Sequence, residues 1–252
     1  MGALHEGHLE HLRLLEPEVD VRICSIFVNP TQFAVGEDLQ KYPRDLQRDA
    51  ALLAETGCDA LFTPGEGSIW PDGYATWIQV SGVTDRYEGA SRPTHFRGVA
   101  TVVCKLINLV EPDVMTLGEK DAQQLRVVER MVEDLNLRVR ILPVPTHRDP
   151  DGLAMSSRNR YLSSDERERA LSIYRGLTVA YDAINAGIEP TEAEVLMREE
   201  LADGVVPDYC EIIDRERFAP IDATSTDLIA VIAARVGTTR LIDNMRMPPV
   251  HR

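Results

Sequence analysis

Basic residues are scarce in this chain: 27 Lys and Arg stand against 41 Asp and Glu in 252 residues, a formal net charge of −14. A surface of that sign repels a polyanion at long range, so nucleic acid is not an expected partner. Long apolar runs are lacking too. The longest, Leu228 to Ala234, falls well short of the ~20 residues that a membrane span needs, and no basic stretch followed by an apolar one opens the chain. Cysteine is sparse and unpaired in pattern. Cys24, Cys58, Cys104 and Cys210 show no C-x-x-C spacing, which argues against a zinc site or a disulfide framework and suits a reducing, cytoplasmic compartment. There is no internal repeat and no low-complexity segment. What remains, 44% hydrophobic residues, is enough to bury one substantial core or two smaller ones.

The order of elements points to an α/β protein. Leu9, Leu12 and Leu15 recur at helical spacing, and the β-branched run Val19 to Val28 then predicts a buried strand closed by Asn29-Pro30. A second unit predicts a helix over Asp45 to Thr56, with Gly57 as its stop, and a strand over Cys58 to Phe62. Helices over Gly98 to Val110 and Asp121 to Leu135 alternate with strands over Asp113 to Leu117 and Val139 to Val144. Such alternation implies βαβ units and a Rossmann-like parallel sheet. After Thr146 the rhythm changes to two helices and then three strand-like runs: Asp208 to Ile213, Leu228 to Ala234 and Thr239 to Asp243. Ser163 with Glu166, and Thr191 with Glu194, fit capping boxes opening those helices. The expected organisation is a Rossmann-like domain over 1–146 and a small α+β domain over 147–252, with His147 to Gly152 as a hinge.

Three segments carry candidate chemistry. His5-Glu6-Gly7-His8 is an H-x-G-H pattern just ahead of an amphipathic helix. Two imidazoles there can bind nucleotide phosphates and stabilise charge growing on an attacked phosphorus, or serve as ordinary capping histidines. Gly118-Glu119-Lys120-Asp121 falls at a strand end, where open α/β sheets hold ligands; alone it also fits a helix cap with solvated charges. Met155-Ser156-Ser157-Arg158 offers two hydroxyls and a guanidinium to a polyphosphate, or is a plain Ser-rich turn. In open α/β folds the first phosphate-binding turn follows a buried strand, and none precedes this one. Five or six missing Val or Ile side chains amount to a loss on the order of 10 kcal/mol. The sequence therefore raises the expectation that the natural product extends upstream of Met1 or that this version is truncated.

An H-x-G-H turn followed by a Ser/Lys/Arg loop resembles the nucleotidylyl-transfer superfamily. Within it, MGALHEGH, SIFVNPTQF, the YPR of Tyr42 to Arg44, EGASRPTHFRGVATVV, GEKDAQQL, DGLAMSSRNRYLS and TTRLIDN are similar, in order, to segments of the pantothenate synthetase (pantoate–β-alanine ligase) family. The resemblance spans Met1 to about Asn244. It implies an ATP-dependent ligase that condenses pantoate with β-alanine through a pantoyl adenylate, releasing AMP and diphosphate. By that resemblance ATP lies along Met1, Gly2, Ala3, Leu4, His5, Glu6, Gly7 and His8, along Gly118, Glu119, Lys120 and Asp121, and along Met155, Ser156, Ser157 and Arg158, with His147 near the adenine. His5, His8, Lys120, Ser156, Ser157 and Arg158 are its catalytic candidates. Gln32, Gln124 and Phe33, with Met1, are expected around pantoate; Arg92 and Arg97 are candidates for a carboxylate or pyrophosphate, or else surface ion pairs.

The resemblance further implies a homodimer, closure of the second domain to exclude water, and Mg²⁺, for which Asp49 is the candidate; a solvated helix face suits that position equally. Thr116-Leu117, where the family usually carries aromatic residues, and His147, where it usually carries an aliphatic one, depart from its pattern and predict shifted nucleotide affinity. Two rival readings stand beside this one. The chain is another H-x-G-H nucleotidyltransferase, or a non-catalytic remnant of the family.

Overall fold

A computed structural model describes residues 2–33 and 44–249. By their internal contacts the residues fall into two compact units, Met1–Glu119 with Gln123–Pro145, and Lys120–Ala122 with Thr146–Arg252.

The first unit alternates helix and strand. Helix α1 (Glu6–Leu15) buries Leu9, Leu12 and Leu15, as their spacing dictates, and leads to β1 (Ile23–Ser25). Asp45 caps α2 (Leu46–Glu55) by accepting from Arg48 N at 3.0 Å. At its other end Gly57 adopts φ 78°, so that Cys58 N reaches Leu53 O and Gly57 N reaches Ala54 O, the Schellman pattern that a left-handed residue permits. Strand β2 (Ala60–Phe62) then pairs in parallel with β1, Cys24 opposite Leu61. Two short helices, α3 (Glu66–Ile69) and α4 (Glu88–Ser91), precede the long α5 (His95–Val110). Strand β3 (Val114–Gly118) is followed by a 3-10 turn over Glu119–Asp121, α6 (Ala122–Asp134) and β4 (Arg140–Val144), which lies parallel to β3.

The expected long strand over Val19 to Val28 is shorter and more open than its β-branched composition suggests. Only Ile23–Ser25 pair, and Val21 and Ile23 are 60% and 42% exposed. Among the described residues β1 bonds to β2 and β3 to β4, as two separate parallel pairs, so β1 has a ladder on one side and β-propensity alone does not bury it. Helix α1 bridges the pairs. Its Leu9 and Leu12 join Cys24, Ile26, Leu53 and Leu61 in one apolar cluster, while the same helix lies against β3 and β4. A larger cluster packs Val99, Ala100, Val103 and Ile107 of α5 and Val127, Val128 and Met131 of α6 with Met115, Leu117 and Ile141. The start of α5 falls three residues ahead of the expected Gly98, at His95.

The second unit is α+β, as expected. Helices α7 (Ser164–Asn185) and α8 (Pro190–Glu199) cover a sheet of order β6-β5-β7-β8, made of β5 (Val205–Asp214), β6 (Ala219–Pro220), β7 (Leu228–Val236) and β8 (Thr239–Arg246), all antiparallel. Ile173, Leu177 and Ile184 of α7 pack with Ile212, Ala230, Ile232 and Val236 of the sheet. Ser163 opens α7 with the expected capping box: its Oγ accepts from Glu166 N at 3.2 Å and Glu166 Oε2 accepts from Ser163 N at 2.8 Å. The box expected at Thr191 and Glu194 does not form. Pro190 takes the first helical position and makes Glu189 the cap residue, so Thr191 lies inside α8, and Glu194 instead accepts from Ile212 N at 3.0 Å.

The stretch His147 to Gly152, expected as a hinge, folds as a tight hairpin. Arg148 pairs with Ala154, Met155 N donates to His147 O, and Gly152 turns the chain at φ 96°. Pro, Gly and Asp suit a turn as well as a linker. Arg148 is clamped on Asp243 of β8 by two bonds of 2.6 and 3.0 Å and stacks over Tyr174, 4.1 Å from its ring centroid.

Candidate functional site

The H-x-G-H turn meets α1 through its own histidines. His5 is the N-cap residue in extended conformation, and its backbone N–H donates to His8 Nδ1 at 3.3 Å. With Nδ1 accepting an amide, a neutral His8 ring carries its proton on Nε2. The two imidazoles lie 3.9 Å apart between centroids, tilted by 35°. The two histidines thus cap the helix through each other. The helix N-terminus adds a partial positive charge beside them, which favours an anion.

Behind the turn stands Asp49. The side chain, expected as a metal ligand or on a solvated face, is 1% exposed, and its Oδ2 and Oδ1 accept from Ala3 N and Leu4 N, each at 2.9 Å. Both carboxylate oxygens are thus engaged by backbone amides. With both oxygens bonded to amides and the side chain almost wholly buried, the Asp49 carboxylate does not present itself to a Mg²⁺ ion.

The Asn-Pro-Thr-Gln turn is built from long-range hydrogen bonds. Asn29, buried, accepts from Thr31 Oγ1 at 2.9 Å and Trp70 Nε1 at 3.1 Å, and donates to Gln32 Oε1 at 3.1 Å and Gly98 O at 3.3 Å. The turn sits so close to α5 that a Cβ on Gly98 would lie 2.7 Å from Thr31 O, which is why glycine occupies that place. Gln32 and Phe33, both half-buried, follow this turn, and Gln32 O accepts from Arg92 Nη2 at 2.9 Å and lies 2.9 Å from His95 Nδ1. Arg92 is thereby engaged inside the fold, and Arg97 lies over Trp77 at 4.9 Å. Gln124 is half-buried on α6. Its neighbour Gln123 is buried and serves the scaffold, accepting from Glu88 N at 2.9 Å and donating to Val83 O at 2.8 Å and Arg86 O at 3.0 Å.

At the end of β3, Gly118 and Glu119 belong to the first unit, whereas Lys120 and Asp121 group with the second. There Lys120 Nζ lies 3.6 Å from Asp121 Oδ1, and Lys120 O accepts from Asn244 Nδ2 at 2.8 Å, which joins the GEKD and RLIDN segments. Ser156 caps a 3-10 turn over Ser157–Tyr161 by accepting from Arg158 N at 3.3 Å; Met155, Ser156, Ser157 and Arg158 are all half-buried. His147, also half-buried, sits in the hairpin described above. Met1 and Tyr42 lie outside the described residues.

One histidine that the motifs do not contain lies in the first unit, beside Thr116 and Gly118. His11, on α1, places Nδ1 3.0 Å from Thr116 Oγ1 of β3, and its Nε2 would lie 3.7 Å from a Cβ on Gly118. Burial above all pulls its pKa down to about 4, so the ring is neutral near pH 7. Thr116, one of the departures from the family pattern, is thus the partner of a histidine three residues beyond His8.

The model of the pantoate-β-alanine ligase family matches residues 1–246. The chain belongs to that family. Among its relatives, the pantothenate synthetase of Moorella thermoacetica is 48% identical over 250 residues, 97% of this chain and 88% of that protein. The pantothenate synthetase of Myxococcus xanthus is also 48% identical, over 252 residues, covering 98% and 86% of the two chains. Of solved structures, pantothenate synthetase from Thermus thermophilus superposes with a TM-score of 0.94 at 45% identity, covering 98% of this chain and 91% of that one. The pantoate-β-alanine ligase of Francisella tularensis, complexed with β-γ ATP and β-alanine, gives a TM-score of 0.78 at 36% identity, covering 98% and 87%. Membership over nearly the whole chain favours a ligase of this family over the remnant and over another H-x-G-H nucleotidyltransferase. The Rossmann-like and small antiparallel domains are those of the ligase fold.

Proposed function

We propose that this chain condenses pantoate with β-alanine to give pantothenate, coupled to the cleavage of ATP to AMP and diphosphate. The observation that carries the reading is the H-x-G-H turn, capped by its own histidines at the start of α1, within a family match over residues 1–246. A free carboxylate is a poor electrophile. In the first step a pantoate carboxylate oxygen attacks the α-phosphorus of ATP, the bond from that phosphorus to diphosphate breaks, and pantoyl adenylate forms. In the second, the β-alanine amine attacks the acyl carbon, AMP leaves with the bonding pair, and the amine gives up a proton.

The chain's part is positioning and charge neutralisation. His8, donating from Nε2, and His5 stabilise the charge growing on the α-phosphate, and Lys120, Ser156, Ser157 and Arg158 supply donors to the phosphates. The segments Gly2 to His8 and Gly118 to Asp121, with Met155 and His147, line the nucleotide. Gln32 and Gln124 orient pantoate through amides that donate and accept, with Phe33 beside its methyl groups. Residues 1–146 are assigned to nucleotide and pantoate binding and 147–252 to the smaller α+β domain. Mg²⁺ enters as the companion of the triphosphate, without Asp49 as a ligand. The protein is assigned to the cytoplasm as a homodimer; among the described residues no helix is long and apolar enough to cross a membrane.

The test is AMP release from ATP, measured with pantoate and β-alanine present together and with each left out. The expected result is release that requires both. Release independent of β-alanine, with no pantothenate formed, would refute the assignment.

A further inference from the structure

The residue that sequence reasoning offered to a metal does something else. Asp49 lies in the first turn of α2, and its two oxygens take the amides of Ala3 and Leu4, two consecutive residues of the nucleotide turn, 46 and 45 positions away. Consecutive amides aimed at one point make a concavity that binds anions. In this fold a carboxylate of the chain itself is the anion. The amides of Ala3 and Leu4 are therefore taken up by the scaffold, and binding of phosphate by this turn falls to His5, His8 and the helix start beyond them.

Three further observations agree. Ala3 is held at φ 51°, a left-handed conformation that alanine adopts only where its surroundings impose it. One helical turn beyond Asp49, Leu53 packs in the same apolar cluster as Leu4, and both are buried. Helix α2 thus grips the turn with a polar arm and an apolar arm on one face. His5 directly follows the clasped pair and presents the N–H that holds His8 Nδ1.

We propose that Asp49 is a positioning residue, not a metal ligand: its carboxylate fills the amide pair of Ala3 and Leu4 and so fixes where the His5–His8 pair presents its imidazoles. This rests on the reading that His8 acts on ATP. The clasp itself is read separately, by hydrogen exchange at the Ala3 and Leu4 amides, which does not depend on activity.

The experiment uses the full chain as wild type, Asp49→Asn and Asp49→Glu. Asparagine keeps the shape but sets an NH₂ against a backbone N–H; glutamate keeps the charge and any ability to bind a metal, but moves the carboxylate by one methylene. Thermal unfolding identifies a variant that fails to fold, and the other then carries the test. Exchange at the two amides is expected to quicken by about tenfold or more in Asp49→Asn. The rate constant for adenylate formation is expected to fall by about 10²-fold in both variants, with the KM for pantoate and the half-saturating Mg²⁺ concentration unchanged. A large rise in the Mg²⁺ requirement of Asp49→Asn, with the two amides still protected, would overturn the proposal in favour of a metal ligand. Lost protection with an unchanged rate constant would overturn it in favour of a purely structural role. A wild type that forms no adenylate would defeat the reading of His8 and leave the clasp to stand or fall on amide exchange.

Discussion

The parallel strands of the first unit run three to five residues, whereas β5, β7 and β8 of the second run eight to ten. The contrast extends to what holds each unit. In the second, β7 is paired on both sides and almost wholly buried, and its Ala230, Ile232 and Val236 pack on Leu177 and Ile173 of α7. In the first, the turns that carry the candidate ligand residues are fixed by single buried polar side chains: Asn29 for the Asn-Pro-Thr-Gln turn, Asp49 for the H-x-G-H turn, Gln123 for the chain around Glu88. Regular ladders and apolar contacts supply stability without placing any one group accurately. A buried side chain bonded to a named backbone amide or carbonyl fixes a turn, and leaves partners unsatisfied if removed.

The largest effect on stability is expected in the second unit. Leu177, fully buried between α7 and the sheet, should cost about 2–5 kcal/mol when replaced by alanine. Unfolding followed by denaturant would show the loss, while the KM for pantoate of the folded protein stays at its wild-type value. A change in that KM would break the division of labour between the units.

Acid separates the units next. His11 has its pKa pulled down to about 4 in the first unit, so the folded protein binds fewer protons than the unfolded chain between that value and the ordinary 6.5. Its contribution is fully present above pH 6.5 and is lost as the pH falls toward 4, by an amount on the order of 3 kcal/mol. In the second unit Asp214, although burial pushes it up, is held below the ordinary carboxylate range by hydrogen bonds from Arg217 and Ser225. Its contribution is present above the ordinary carboxylate pKa and is lost only at lower pH. His11→Leu should therefore flatten the stability profile between pH 6.5 and 4 and leave the more acidic limb in place. A profile unchanged in the upper window would remove His11 as its source.

The local signals were readable in the sequence and the distant pairings were not. Periodicity placed α1, α2, α6 and the three long antiparallel strands, and Ser163 with Glu166 announced the start of α7. Each of these depends on residues three or four apart, or on a short apolar run within one strand. The box at Thr191 was misread because a proline at the first helical position outranks an S-x-x-E-like spacing one residue later. The strand over Val19 to Val28 was overread because composition reports propensity, not how many neighbours a strand finds. Asp49 with Ala3, His11 with Thr116 and Asn29 with Trp70 are joined across 41 to 105 positions. No spacing rule reaches so far, and in each case the polar side chain looks like an ordinary surface residue until its partner is known.

The central claim is that the histidines capping α1 act on the α-phosphate of ATP. Pantoate-dependent exchange of labelled diphosphate into ATP measures that step apart from β-alanine, in wild type and in His8→Ala. The account predicts exchange in the wild type and a loss of about 10²–10³-fold in the variant, the scale for removing one donor to a developing charge. Equal exchange rates in the two proteins would contradict it.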